Sequence, residues 1–130
     1  MFLLDTNIVI YFFKGQGRVA EHLFSVPPSE VALSTVTVYE LEVGIARSAS
    51  PDLRRAQLNR LLETVSVLPL NTEAARAAAR VRSLLEQSGF PIGALDNLIA
   101  GIALAHGATL VTHNVSEFAR VPDLSVVDWY

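Results

Sequence analysis

The sequence predicts an α/β fold with a central parallel sheet covered by helices on both faces. Three observations carry this reading. Short apolar runs recur along the chain, the segments between them place apolar residues at helical spacing, and the two kinds of segment alternate. Strands buried on both faces read as continuous apolar runs rather than as alternations.

The strand signals are Met1 to Leu4, Val31 to Leu33, Val65 to Leu68, Leu110 to Val111 and Leu124 to Val127. After the first strand, "NIVIYFF" reads as an apolar helix. Its Tyr11, Phe12 and Phe13 turn about 100° per residue, so at least one faces a groove or a partner rather than the core. "VPPSE" (Val26 to Glu30) is a turn, and "STVTVYELEVG" is a helix following the second strand. "SASPD" (Ser48 to Asp52) is a loop that ends one helix and starts another. Leu53, Leu58, Leu61 and Leu62 form one helical stripe. Ala74, Ala77, Ala78, Val81, Leu84 and Leu85 form a second, and Leu95, Leu98, Ile99, Ile102 and Ala103 a third. No repeat or change of composition marks a boundary, so residues 1–130 are expected to form one domain.

Composition excludes several function classes. Hydrophobic residues make up 51% of the chain, enough for a substantial core. The longest apolar runs, such as Ile8 to Phe13, are far shorter than the roughly 18 residues of a membrane span. "MFLL" has no basic lead and is cut short by Asp5, so no signal peptide is expected and a cytosolic chain is the simplest reading. The absence of cysteine excludes disulfides and thiolate zinc sites. A net charge of −3 argues against a generic polyanion binder. Lys14, Arg47, Arg76, Arg80, Arg82 and Arg120 are candidate phosphate contacts, with a solvated face or an ion pair to Glu73 as the competing reading for the helical arginines.

Four places carry chemistry. Asp5 ends the first strand in "LLDTN". Glu40 and Glu42 lie on the helix after the second strand. Asp96 opens the apolar helix of "PIGALDNLIAG", and Thr112 and Asn114 follow a later strand in "LVTHNVSEF". Each has a local explanation. Asp5 suits a helix N-cap. Asp96 lies in a first turn, where negative charge suits the dipole. Asn114 with Glu117 three residues on resembles a capping box. Glu40 and Glu42 face nearly opposite sides of their helix. Gly44 shares the face of Glu40 and permits close approach of another backbone, which makes Glu40 the inward candidate and Glu42 the surface one.

Taken together these explanations weaken. Open α/β sheets place their sites beyond the carboxyl ends of the strands, where Asp5 lies. A chain of this length has a radius of gyration of about 14 Å, so elements distant in sequence can converge. Clustered carboxylates repel unless a cation joins them, and hard oxygen ligands without cysteine favour Mg²⁺ or Mn²⁺.

At these residues the chain resembles a PIN-domain ribonuclease, most closely a VapC-type toxin of bacterial toxin–antitoxin pairs. The matching segments are "LLDTNIVIYFFKG", "STVTVYELEVGIARS" and "PIGALDNLIAGIALAHGATLVTHNVSEFARVPDLSVVDW". The resemblance implies a three-layer α/β/α sandwich with a parallel sheet. It implies metal-dependent hydrolysis of RNA phosphodiesters by an activated water attacking in line, leaving 5′-phosphate and 3′-hydroxyl ends. The family's metal-site acids fall on Asp5, Glu40 and Asp96, with Asp5 and Asp96 as main ligands and Glu40 as a ligand or water-orienting group. The fourth position, often an aspartate, falls on Asn114. A neutral carbonyl there leaves weak coordination, a water bridge or the positioning of a ligand as alternatives. Thr6 and Thr112 fall on polar positions beside the acids and would orient carboxylates or water. The resemblance further implies a cognate VapB-type antitoxin whose tail brings a basic side chain to the acidic site, a homodimer, and structured RNA such as tRNA as substrate.

Two rivals are distinguishable. "GQGRVA" fits G-x-G-x-x-A, and were "NIVIYFF" a strand it would be a dinucleotide phosphate loop. The acid expected at the end of the next strand is missing, since "VALST" ends in Ser34 and Thr35. The other rival is a non-catalytic PIN-like module that binds RNA or a partner, favoured only by Asn114.

Overall fold

Five parallel strands form one sheet in the order β3-β2-β1-β4-β5. The computed structural model describes residues 1–130. The strands are β1 (Phe2–Leu4), β2 (Val31–Ser34), β3 (Ser66–Leu68), β4 (Thr109–Val111) and β5 (Val126–Val127). The helices are α1 (Thr6–Lys14), α2 (Val19–Phe24), α3 (Thr35–Ala46), α4 (Pro51–Thr64), α5 (Thr72–Gln87), α6 (Ala94–His106) and α7 (Val115–Phe118), with a 3₁₀ turn at Pro28–Glu30. The architecture is the α/β/α arrangement expected. Each strand lies within a residue or two of its sequence signal.

Alternation along the strands sends neighbouring side chains to opposite faces. Leu3, Ala32 and Leu110 are paired across β1, β2 and β4. They pack with Ala74, Val81 and Leu85 of α5 and Ile99, Ile102 and Ala103 of α6. Leu4, Leu33 and Val111 are the next residues along and face the other way. They pack with Ile8 and Val9 of α1, Leu41 and Ile45 of α3 and Leu58 and Leu61 of α4. The three central strands β1, β2 and β4 are therefore buried on both sides, which is why they read as unbroken apolar runs, whereas the edge strand β3 is largely exposed.

Small residues set the α5–α6 spacing. A Cβ on Gly101 would lie 2.6 Å from the Ala74 carbonyl oxygen and from Ala78, so only glycine fits where the helices cross. Two predicted stripe residues depart from the core: Leu53 is 56% exposed and Leu84 46% exposed. Periodicity marks which side of a helix is apolar but not where its neighbours end. Gly44 also differs from expectation, because a Cβ there would meet nothing within 4 Å.

"NIVIYFF" lies in α1, so the "GQGRVA" loop joins helix to helix rather than strand to helix. That removes the dinucleotide rival. In chain order the sheet grows from β1 through β2 to β3 on one side, then resumes with β4 on the other side of β1. The β1–β4 boundary is the topological switch point, where open α/β sheets form a crevice beyond the strand ends.

Candidate metal centre

Asp5 follows β1 at this switch point and is only 7% exposed. Its Oδ1 accepts from the Ile8 backbone N–H at 3.0 Å, so the residue caps α1 as its type and place suggest. Its Oδ2 accepts from the Thr112 hydroxyl at the end of β4, at 2.5 Å. Capping and site geometry thus coexist, one oxygen to each. Burial pushes the Asp5 carboxyl up from the usual carboxylate range. The Thr112 and backbone donors oppose that, and the charge of Glu40 adds to it.

Glu40 comes from α3, which starts where the buried Ser34 hydroxyl accepts from the Thr37 N–H at 2.9 Å. The Thr6 hydroxyl donates to Glu40 Oε1 at 2.7 Å and lies 3.2 Å from that of Thr37. Glu42 turns away and pairs with Arg55 at 2.8 Å. The spacing argument for an inward Glu40 and a surface Glu42 holds, although close backbone approach at Gly44 is not its cause.

Asp96 stands half-buried in the first turn of α6. Its carboxyl is pushed up to about 7, first by burial, then by a hydrogen bond from its protonated form to Glu117, then by the charges of Glu117, Glu40 and Asp5. Four carboxylates on four different elements therefore lie within electrostatic reach of Asp96 or belong to it. None of the four forms an ion pair with Lys, Arg or His.

Asn114 corrects the capping-box expectation. It occupies the N-cap position of α7, but its side chain caps nothing there. Its Nδ2 instead donates to the Glu117 carboxylate. Its backbone N–H donates to the Thr112 hydroxyl oxygen at 3.0 Å. Thr112 thus links Asp5 to the Asn114 turn, and Asn114 holds Glu117 beside Asp96. Glu117 also accepts from the Gly93 N–H at 3.3 Å, tying α7 to the loop before α6.

Two contributors escaped sequence reasoning. Glu117 joins the acidic group, whereas its spacing from Asn114 suggested only a cap. Thr37 is fully buried against Thr6, and its position three residues before Glu40 on the same helical face was the available signal. Of the candidate phosphate contacts, Arg82 pairs with Glu86 at 2.7 Å and Arg120 lies over the Phe90 ring. Arg76, Arg80 and Arg47 are solvent-exposed, and no ion pair joins Glu73 to either helical arginine.

The donor set consists of carboxylate oxygens supported by hydroxyls, which suits a hard divalent cation. No three acidic or imidazole side chains stand close enough together to clasp one bare ion. The arrangement fits an ion that keeps much of its water and takes one or two carboxylates directly, which is how Mg²⁺ is usually held.

Comparison with known proteins places the chain in a family. The PIN domain family model matches residues 2–124. The chain belongs to the PIN-domain family. Within that family, this PIN domain is similar to the tRNA(fMet)-specific endonuclease VapC of Salmonella typhimurium strain LT2, with 33% identity over 128 residues covering 98% of this chain and 97% of the relative. It is 35% identical to ribonuclease VapC1 of Haemophilus influenzae strain R2866, covering 99% and 98% of the two chains. In solved structures, it matches the VapBC2 complex of Rickettsia felis bound to a promoter DNA fragment, with a TM-score of 0.92 and 30% identity over 99% of this chain and 98% of that one. The likeness to VapC proteins is thus end to end and includes every element that carries the acidic group.

Phe12 and Phe13 of α1, but not Tyr11, line an apolar groove with Leu23, Phe24, Leu53 and Leu61, of about 660 Å³. Phe24 is 78% exposed there. The aromatic run therefore does face a groove, as its length on a helix required. No helix of the chain is long and apolar enough to cross a membrane.

Proposed function

We propose that the chain is a VapC-type toxin, an endoribonuclease that hydrolyses RNA phosphodiester bonds with Mg²⁺ or Mn²⁺ and is silenced by a cognate VapB-type antitoxin. The observation that carries this reading is the acidic group at the switch point, with which no Lys, Arg or His side chain pairs. A fold that gathers Asp5, Glu40, Asp96 and Glu117 without one basic side chain among them keeps a standing demand for positive charge.

Asp5 and Asp96 are the main ligands in this reading, with Glu40 as a ligand or as the group that orients water. A bound divalent ion supplies neutralisation of phosphate charge and a bound water acidified toward neutral pH. The chain's own residues supply position. Ile8 N–H and Thr112 fix both Asp5 oxygens, Thr6 fixes Glu40, and Asn114 holds Glu117 against Asp96. Asn114 positions Glu117 through its amide nitrogen, and its Oδ1, the atom that would meet a cation or its water, stays uncommitted.

The partners follow from the relatives. Solved VapBC complexes and the apolar groove at Phe24 support an antitoxin that lays the apolar face of a helix into that groove and carries a basic side chain to the acids. The tRNA(fMet)-specific relatives support structured RNA, tRNA among it, as the substrate class, and a homodimer inside the toxin–antitoxin complex completes the proposal.

The test is cleavage of total RNA by the purified protein with Mg²⁺ or Mn²⁺, with and without excess chelator, followed by sequencing of 5′-phosphate ends. Discrete new ends that vanish with chelator support the reading. Full cleavage in chelator overturns the metal dependence, and RNA binding without any cleavage favours the non-catalytic module.

A further inference from the structure

We propose that His113, Tyr130 and Tyr11 form a stacking platform for one unpaired RNA base beside the metal centre. This rests on the ribonuclease reading above and adds a base-binding subsite to it.

The place is set by the fold. His113 follows Thr112, the residue that holds Asp5, so its Cα is about 3.8 Å from that of Thr112. It stands at the carboxyl end of β4, on the rim where the acids gather. An RNA strand whose phosphate reaches the acidic group must place a neighbouring sugar and base over this rim.

The rings are pre-assembled. His113 stacks on Tyr130 with centroids 4.2 Å apart and planes at 25°. Tyr11 meets Tyr130 edge-on at 4.8 Å and His113 edge-on at 5.9 Å. Polar contacts lock the assembly. His113 Nδ1 donates to Asp128 Oδ2 at 2.9 Å, and the other Asp128 oxygen accepts from the Tyr130 N–H at 2.8 Å. The Tyr130 carbonyl accepts from the Arg18 N–H at 2.6 Å. Gly17 has φ +63°, and a Cβ there would lie 2.8 Å from the Tyr130 ring, so the loop leaves room for that ring alone.

The assembly is also open. The His113 side chain is 46% exposed and Tyr130 is 42% exposed. Exposed rings held rigid by hydrogen bonds offer a face at little entropic cost. Every nucleobase has a π-face that stacks on His or Tyr, which is the usual means of holding unpaired RNA. Asp128 sits against His113, so a backbone phosphate would meet a carboxylate there, and the same charge disfavours an acidic peptide. An unpaired base is the occupant that fits.

The experiment measures binding of fluorescein-labelled oligoadenylate and oligouridylate dodecamers in excess chelator, so that cutting does not compete, alongside KM and kcat for RNA cleavage with metal. Wild type is expected to bind the adenylate more tightly, because purines stack more strongly. His113→Ala should weaken adenylate binding about tenfold, shrink the purine preference and raise KM while leaving kcat nearly unchanged. His113→Phe, which keeps a ring but drops the Asp128 bond, should restore most of the affinity. If His113→Ala binds both oligomers as wild type does while wild type cleaves normally, the platform is wrong and the ribonuclease reading stands. If wild type neither binds nor cleaves RNA, both fall. If the variant weakens only antitoxin binding, the patch is a protein-docking face and the proposal is overturned.

Discussion

Thr112 and Asp5 are 107 residues apart in the chain and joined by one buried hydrogen bond of 2.5 Å. The bond spans the two strands on either side of the switch point. It fixes the Asp5 oxygen that is not committed to capping α1.

Removing the Thr112 hydroxyl while keeping its shape tests its two contacts together, the donor to Asp5 and the acceptor for the Asn114 N–H. Thr112→Val matches the volume but leaves the Asp5 oxygen and the Asn114 N–H without this partner, so the variant should fold with about 1–3 kcal/mol less stability. Loss of an orienting donor of this kind typically lowers metal affinity or activity by about 10- to 100-fold. Mn²⁺ titration and RNA cleavage of the variant check it. Unchanged values for both would remove Thr112 from the site.

Asp96 gives the metal-free protein a particular pH dependence. Its folded-state carboxyl titrates at about 7, above the ordinary 3.8. The folded state therefore holds this proton more tightly than the unfolded state. Stability from this group is fully present below the unfolded value and is lost as pH rises through about 7. Thermal melts in chelator from mildly acidic to mildly alkaline pH should show a falling midpoint, flattened in Asp96→Asn. Added Mg²⁺ should recover stability most at the alkaline end, because proton and metal compete for the same oxygens. A midpoint that rises with pH, with no effect of the substitution, contradicts the cause assigned.

The α5–α6 crossing predicts a purely structural effect. Gly101→Ala forces a methyl to within 2.6 Å of Ala78, and overpacking of this kind costs about 1–3 kcal/mol. A lower unfolding midpoint with retained metal affinity is the expected result.

The groove predicts a separation of functions. Phe24→Asp places a charge in the apolar groove, whose lining includes none of the four acids. It should release the chain from antitoxin inhibition without lowering cleavage of RNA. Native gel shift and cleavage with and without antitoxin measure both.

Much of this was legible in the sequence, for identifiable reasons. The strands were readable because both faces of the sheet are covered, which makes Leu3-Leu4 and Val31 to Leu33 unbroken apolar runs. Asp5 stood out because it follows a strand directly, where open α/β sheets place their sites, and Asp96 because it opens an apolar helix; their local roles as cap and first-turn charge did not set them apart. Glu40 was separable from Glu42 by helical phase alone. Glu117 was not readable, because a glutamate three residues after Asn114 looks local until α7 folds against α6. Thr37 was hidden for the same reason, its partner Thr6 being 31 residues away. The platform at His113 depends on Asp128 and Tyr130 returning through β5 to the β4 end, a contact that no local pattern signals.

The claim on which all else depends is that Asp5, Glu40 and Asp96 hold a divalent cation. Calorimetric titration of Mn²⁺ into the purified, metal-stripped protein tests it most directly, beside Asp5→Asn and Asp96→Asn variants shown by circular dichroism to be folded. The account predicts saturable binding by wild type and its loss, or a large weakening, in both variants. Binding of equal stoichiometry and affinity in all three proteins would contradict it.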